Sequence, residues 1–341
     1  MLRHCLGFAV GIAMLASSGL AQQGPYKVLK TVKVGGVGAY DYVQADVEGR
    51  RLYIARTGAS PRMTVYNLDT LEMVGEFPTT NLHGAAIDAK SGHGFATSKP
   101  ITMFDTKTLQ VIKTIEVQGN PDGHFFDPFS QRAYILSHVP PHVTAIDTKD
   151  GAVAGTVDIG GEPEQAATDG KGHLYIDLED KDSIAVLDTK TLAVTAHYDV
   201  AGKGGTCAGL AMDAKNHILF ATCRKPTNMV ILNAEDGKII TTLPIGGLSD
   251  GALFNPNTME AFSSQGDGTL TIVKENSPTS FVVEQTLPTM MGARTSTLDT
   301  KTNRIILIAA EFGAPPPAQP GGRAGRGQII PDSFSILMVG K

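Results

Sequence analysis

An Asp or Asn followed by turn-forming residues recurs along the chain at Asp46, Asp88, Asp127, Asp169, Asp213, Asn255 and Asp299. Five places before each marker stand Asp41, His83, Asp122, Glu164, Ala208, Asp250 and Arg294. All but one of these are ionisable: four carboxylates, an imidazole and a guanidinium. If the interval is a structural repeat, equal positions lie at equal height and the six form a collar around one mouth. Such a collar can hold a cation or a small polar ligand, with Arg294 free to hold an anion. Crowded carboxylates also raise their own pKa values, which suits acid–base work. The alternative is a solvated rim that stays polar because it lines water.

Histidines add a second set. Antiparallel pairing puts Asp122 near Ser137 and His138, and the turn His138-Val-Pro-Pro-His142 keeps both histidines at the same mouth. His124 follows Asp122 by one full pleat, and His83 belongs to the adjoining repeat. His83, Asp122, His124, His138 and His142 are therefore the candidate ligands for a divalent metal ion such as zinc, copper or iron. Ordinary loop histidines are the competing explanation, because no His-Glu-x-x-His motif is present. Should the mouth catalyse, Asp122, Glu164 or Asp250 would serve as base or ligand, and Arg294 as anion clamp.

The elements that must carry these residues are strands. After each marker comes a short apolar run, as in LYIAR at 52–56, AYILS at 133–137, LYIDL at 174–178 and LFATC at 219–223. A second run follows and ends in an Asp-Thr-type turn, as in TMFDTKT at 102–108 and IAVLDTKT at 184–191. A third, VIKTIEVQG at 111–119 for example, ends in Gly, and a fourth such as GLAMD at 209–213 leads into the next marker. Runs of this length separated by Gly, Asp, Asn and Pro are hairpin patterns. Four strands make a small sheet with two apolar faces, and a ring of such sheets buries both without leaving long edges. The fold class is accordingly all-β: a seven-bladed β-propeller with four antiparallel strands per blade. Its last blade is shared by the N- and C-terminal strands, two from each end. The marker carboxylates are expected to cap the turns they open.

These runs resemble the YVTN-repeat β-propeller family, with LYIAR, LYIDL and LFATC carrying the likeness best. The resemblance spans the chain after its first residues and implies the fold. It leaves activity open, since members are often exported bacterial proteins and some related propellers carry enzyme sites. Repeat six departs from the pattern: EAFSS and VKENSPTS lack the tyrosine and the Asp-Thr turn.

Residues 1–21 pair a short positive start with the apolar stretch Leu6 to Ala16 and small residues before position 22, the pattern of a cleaved signal peptide. Residues 22–341 then form a single propeller domain in the periplasm or outside the cell. No later segment is long and apolar enough to be a transmembrane helix. In an oxidising compartment Cys207 and Cys223 are disulfide candidates, and pairing Asp213 near Ile218 sets them opposite each other. A Pro/Gly/Arg-rich loop at 313–328 cannot build a core and is expected to be mobile. The net charge of −5 offers no field for nucleic acid. The absence of Trp speaks against WD40 and quinoprotein propellers. No Cys-x-x-Cys-His haem site, Gly-x-Ser-x-Gly elbow or phosphate-cradling loop occurs. The leading expectation is an exported, monomeric binding or scaffold protein for a protein, glycan or small polar ligand. The other is a metal-dependent lyase, lactonase or hydrolase.

Overall fold

The computed structural model describes residues 24–314 and 327–341. The expected signal peptide, and most of the Pro/Gly/Arg-rich loop, lie outside the described residues. The described strands form seven four-stranded antiparallel sheets. Blades 1 to 6 occupy residues 39–78, 85–115, 121–157, 163–199, 207–244 and 249–288. The first strand of each is innermost and the fourth lies at the rim.

The sequence explains why the sheets stack in a ring. Leu52, Tyr53, Ile54 and Ala55 are all fully buried, although alternate residues of a strand point to opposite faces. Leu52 and Ile54 pack with Ile306, Ile336 and Met338 of the seventh blade. Tyr53 and Ala55 pack with Leu82, Ala96 and Phe104 of the second. The same division recurs round the molecule, so seven apolar layers hold it together, one between each pair of neighbouring blades. Rim strands such as Val111–Ile115 are mostly exposed.

Blade 7 closes the ring with Ser296–Asp299, Arg304–Ala309 and Ser335–Gly340 from the C-terminal side and Lys27–Lys33 from the N-terminal side. The split is three and one, where the sequence suggested two and two. The sequence repeat is out of phase with the blade by one strand. Its fourth run, Tyr42 to Asp46 in the first case, is the innermost strand of the blade that follows. The marker turn therefore lies within a blade, and the crossing between blades comes at the Gly ending the third run.

Every marker caps its turn. Side-chain oxygens of Asp46, Asp88, Asp127, Asp169, Asp213, Asn255 and Asp299 each accept a backbone N–H from two or three residues on. Several also bridge blades: Thr148 donates to Asp88, Thr168 to Asp127, and Arg50 to Asp299. Repeat six keeps its second hairpin without the Asp-Thr turn, pairing Thr269–Ser277 with Ser280–Pro288 through a tight Ser277–Ser280 turn. Cys207 faces Cys223 in register, and the two are joined by a disulfide.

Candidate functional site

The collar position is where the inner strands break register. Bulges fall between Tyr40 and Val43, Pro121 and His124, Pro163 and Ala166, Cys207 and Gly209, and Ser249 and Gly251. Asp41, Asp122, Glu164, Ala208 and Asp250 sit inside these bulges. A bulge takes a residue out of the ladder and re-aims its side chain, here into the mouth. His83 and Arg294 precede the inner strands Ala85–Asp88 and Ser296–Asp299. The small residues that follow have their own cause. A Cβ on Gly123 would lie 2.5 Å from the Glu164 carbonyl oxygen, and one on Gly209 would lie 2.7 Å from the Gly251 carbonyl carbon. Neighbouring inner strands approach too closely there for a side chain.

The six expected collar residues meet at one mouth, in two arcs. In the first arc, His83 Nδ1 is 2.8 Å from Asp41 Oδ2 and 3.3 Å from Asp122 Oδ1. His138 Nε2 lies 3.8 Å from Asp122 Oδ2 and 3.7 Å from Glu164 Oε1. Glu164 accepts a hydrogen bond from the Tyr42 hydroxyl at 3.0 Å and shares another with Glu179. In the second arc, Arg224 pairs with Glu179 and Asp250, and Arg294 Nε lies 3.0 Å from the other oxygen of Asp250. This guanidinium arc borders a hollow of about 700 Å³ reaching Lys225 and Leu248. That volume is in the range of small-molecule sites. Below the mouth, a channel of about 430 Å³ runs from Tyr42, His124 and Glu164 to Thr168 and Thr300 near the marker turns.

Burial raises the carboxyl pKa of Glu164 well above its usual range, and the hydrogen bond with Glu179 adds to this. Asp122 is raised by burial, with His83 opposing it. Asp250 is raised by burial against the pull of Arg294 and Arg224. His83 is raised by its hydrogen bond to Asp41. The Asp41 contact that raises His83 and the burial that raises Glu164 both act against charge repulsion among the four carboxylates. Beneath them, Asp177 is fully buried and pushed up to about 8. Its Oδ1 accepts the Gln165 N–H. Gln165 in turn accepts the Leu210 and Ala252 N–H groups, joining three inner strands whose channel-side edges lack a neighbouring strand.

Two of the expected metal ligands are elsewhere. His124 packs edge-on against Tyr42 in the channel wall, and burial lowers its pKa to about 4, which leaves it neutral. The bulge at Asp122–Gly123 interrupts the alternation that would have put both residues on one face. His142 stands just before the third strand of its blade, Val143–Asp147, and pairs with Asp158 at 2.6 Å. It shares the height of the mouth but lies farther from the axis. Glu179, Arg224 and Tyr42 were missed. Counting ten or eleven places forward from the markers finds His138, Glu179 and Arg224, because the second strand returns to the same mouth.

No family model and no curated protein matches the chain in sequence. Solved structures do match in fold. The WD40 repeats of RRP9 superpose with a TM-score of 0.73 at 10% identity, over 93% of this chain and 99% of that one. A chain of a mitotic checkpoint complex gives 0.71 at 11% identity, over 90% and 96%. At such identity the likeness is one of architecture: the chain is a seven-bladed β-propeller, built without the tryptophan of the WD signature.

Proposed function

We propose that this chain is an exported, monomeric propeller scaffold of the YVTN-repeat kind, which recognises a protein, glycan or small polar ligand at its collar-bearing mouth. The observation that carries this reading is the convergence of unlike charges from six blades on one opening. An acid–imidazole arc faces a guanidinium arc beside a hollow of about 700 Å³. A ligand bearing both a cationic and an anionic group would complement both arcs. The similar chain from the mitotic checkpoint complex was solved in an assembly, which agrees with a protein partner. Thermal-shift screening of small polar compounds and glycans, joined to capture of envelope proteins, tests the reading. The expected ligand stabilises the parent and loses its effect in Arg294→Ala and Glu164→Gln. A ligand indifferent to both changes would overturn the assignment to this mouth.

A metal-dependent lyase, lactonase or hydrolase is favoured by a separate observation, the buried Glu164 carboxyl facing the His138 imidazole. In that reading Glu164 is the acid, Asp122 or Asp250 the base or ligand, and Arg294 the anion clamp. Turnover of a lactone or ester panel that disappears in Glu164→Gln would support it.

A further inference from the structure

We infer that Asp41, His83 and Asp122 form a site for one divalent transition-metal ion, with His138 placed to become its fourth ligand. The inference rests on the mouth being a binding site and narrows what it takes.

One ligand atom from each of Asp41, His83 and Asp122 lies within 4.8 Å of the other two. The residues come from three successive blades, so three separate backbones fix them. Two of them sit in bulges that turn the side chain inward. A ring held by apolar layers on both sides of every blade cannot easily draw these donors apart or let them collapse, which is the preorganisation a metal site requires.

His83 Nδ1 faces carboxylates of both Asp41 and Asp122, at 2.8 and 3.3 Å, and can donate to only one at a time. Among the described residues no other N–H or O–H makes a hydrogen bond to Asp122. His138 Nε2 is shielded from water and has no hydrogen-bond partner, though it faces Asp122 and Glu164. Asp122 thus has only the shared His83 nitrogen close by, and His138 Nε2 has no partner at hydrogen-bond distance. Buried polar atoms left in that state are costly, and a cation relieves several at once.

The donor set selects the ion. Calcium takes six to eight oxygens and magnesium a near-ideal octahedron. Two carboxylates and one or two imidazoles suit zinc, or manganese next, with water completing the shell. Asp41, His83 and Asp122 have side chains about a quarter exposed, so a hydrated ion can reach them.

The test uses the whole chain after chelator treatment. Equilibrium dialysis against Zn²⁺, Mn²⁺, Ca²⁺ and Mg²⁺, read by elemental analysis, should give one zinc per chain and little calcium. Asp122→Asn and His83→Gln should each weaken zinc binding at least about tenfold. His217→Gln, at the opposite mouth, should not. Cobalt(II) absorption on the parent chain needs no variant, and an imidazole–carboxylate d–d band is expected. Absence of a stoichiometric ion, absence of that band, or equal loss in His217→Gln would overturn the inference. Repeating the ligand screen in chelator separates it from the broader reading: a ligand bound without metal leaves that reading standing and removes this site.

Discussion

The two mouths of the propeller are built by the same repeat yet have opposite acid–base character. At the marker mouth, burial pushes Asp88, Asp169 and Asp299 up, but donors more than offset it. Thr148 and backbone N–H groups hold Asp88 low, the His173 N–H contributes for Asp169, and Arg50 does so for Asp299. At the collar mouth and just beneath it, burial prevails, and Asp122, Glu164, Asp177 and Asp250 are all raised. A turn carboxylate meets the N–H groups of its own turn, whereas a bulge carboxylate is aimed away from its backbone toward other side chains. Identical position in a repeat therefore secures proximity at both ends, and the local backbone decides whether it yields a structural cap or a carboxyl with a raised pKa.

The largest expected effect concerns Asp177. A carboxyl raised to about 8 in the folded state favours folding most below its unfolded value near 4, and that contribution drains away as pH rises to about 8. Asp177→Asn should keep the acceptor for the Gln165 N–H and remove this slope. In urea titrations the variant should gain on the parent between pH 4 and 7, by about 4 kcal/mol at most. A gap that stays constant with pH would remove Asp177 from the contrast.

Next in size is the disulfide, which spans the bulge of the blade whose collar residue is Ala208. Replacing Cys207 and Cys223 together by Ser should lower unfolding free energy by about 3 kcal/mol. Reductant should have a comparable effect on the parent and little on the variant.

Asp127→Ala tests the marker mouth. Asp127 is fully buried and accepts hydrogen bonds from the Ser130 N–H and the Thr168 hydroxyl, both at 2.9 Å. Losing these should cost about 2 kcal/mol. Glu164→Gln tests the collar mouth with the opposite sign. Removing one of several crowded carboxyls should raise Tm slightly above neutral pH, and a loss as large as that of Asp127→Ala would erase the distinction between the mouths.

The ring was legible in the sequence because its period repeats seven times and each run carries apolar residues on both faces. The collar was legible because one count from each marker lands on equivalent backbone positions. What the count lacked was radius and local irregularity. His142 shares the mouth's height but belongs to a strand farther from the axis. His124 fails because a bulge two residues wide breaks the alternation on which its placement relied. Glu179 and Arg224 were within reach of a count taken forward along the returning strand. The offset of repeat and blade could not be seen in the runs themselves, since either phasing gives four strands per unit.

That offset bears on biosynthesis. Lys27 pairs with Gly340, so the earliest of the described strands finds its neighbour only after Ser335–Gly340 has been made. Until then blades one and six each keep an apolar face only partly covered, by Arg304–Ala309, and the lone strand 27–33 has no sheet to join. A chain cut short before residue 335 would retain six whole blades and still expose the pairing edge of Arg304–Ala309, a template for addition by other unfinished copies. The seam thus makes closure of the ring depend on strands from both of its ends.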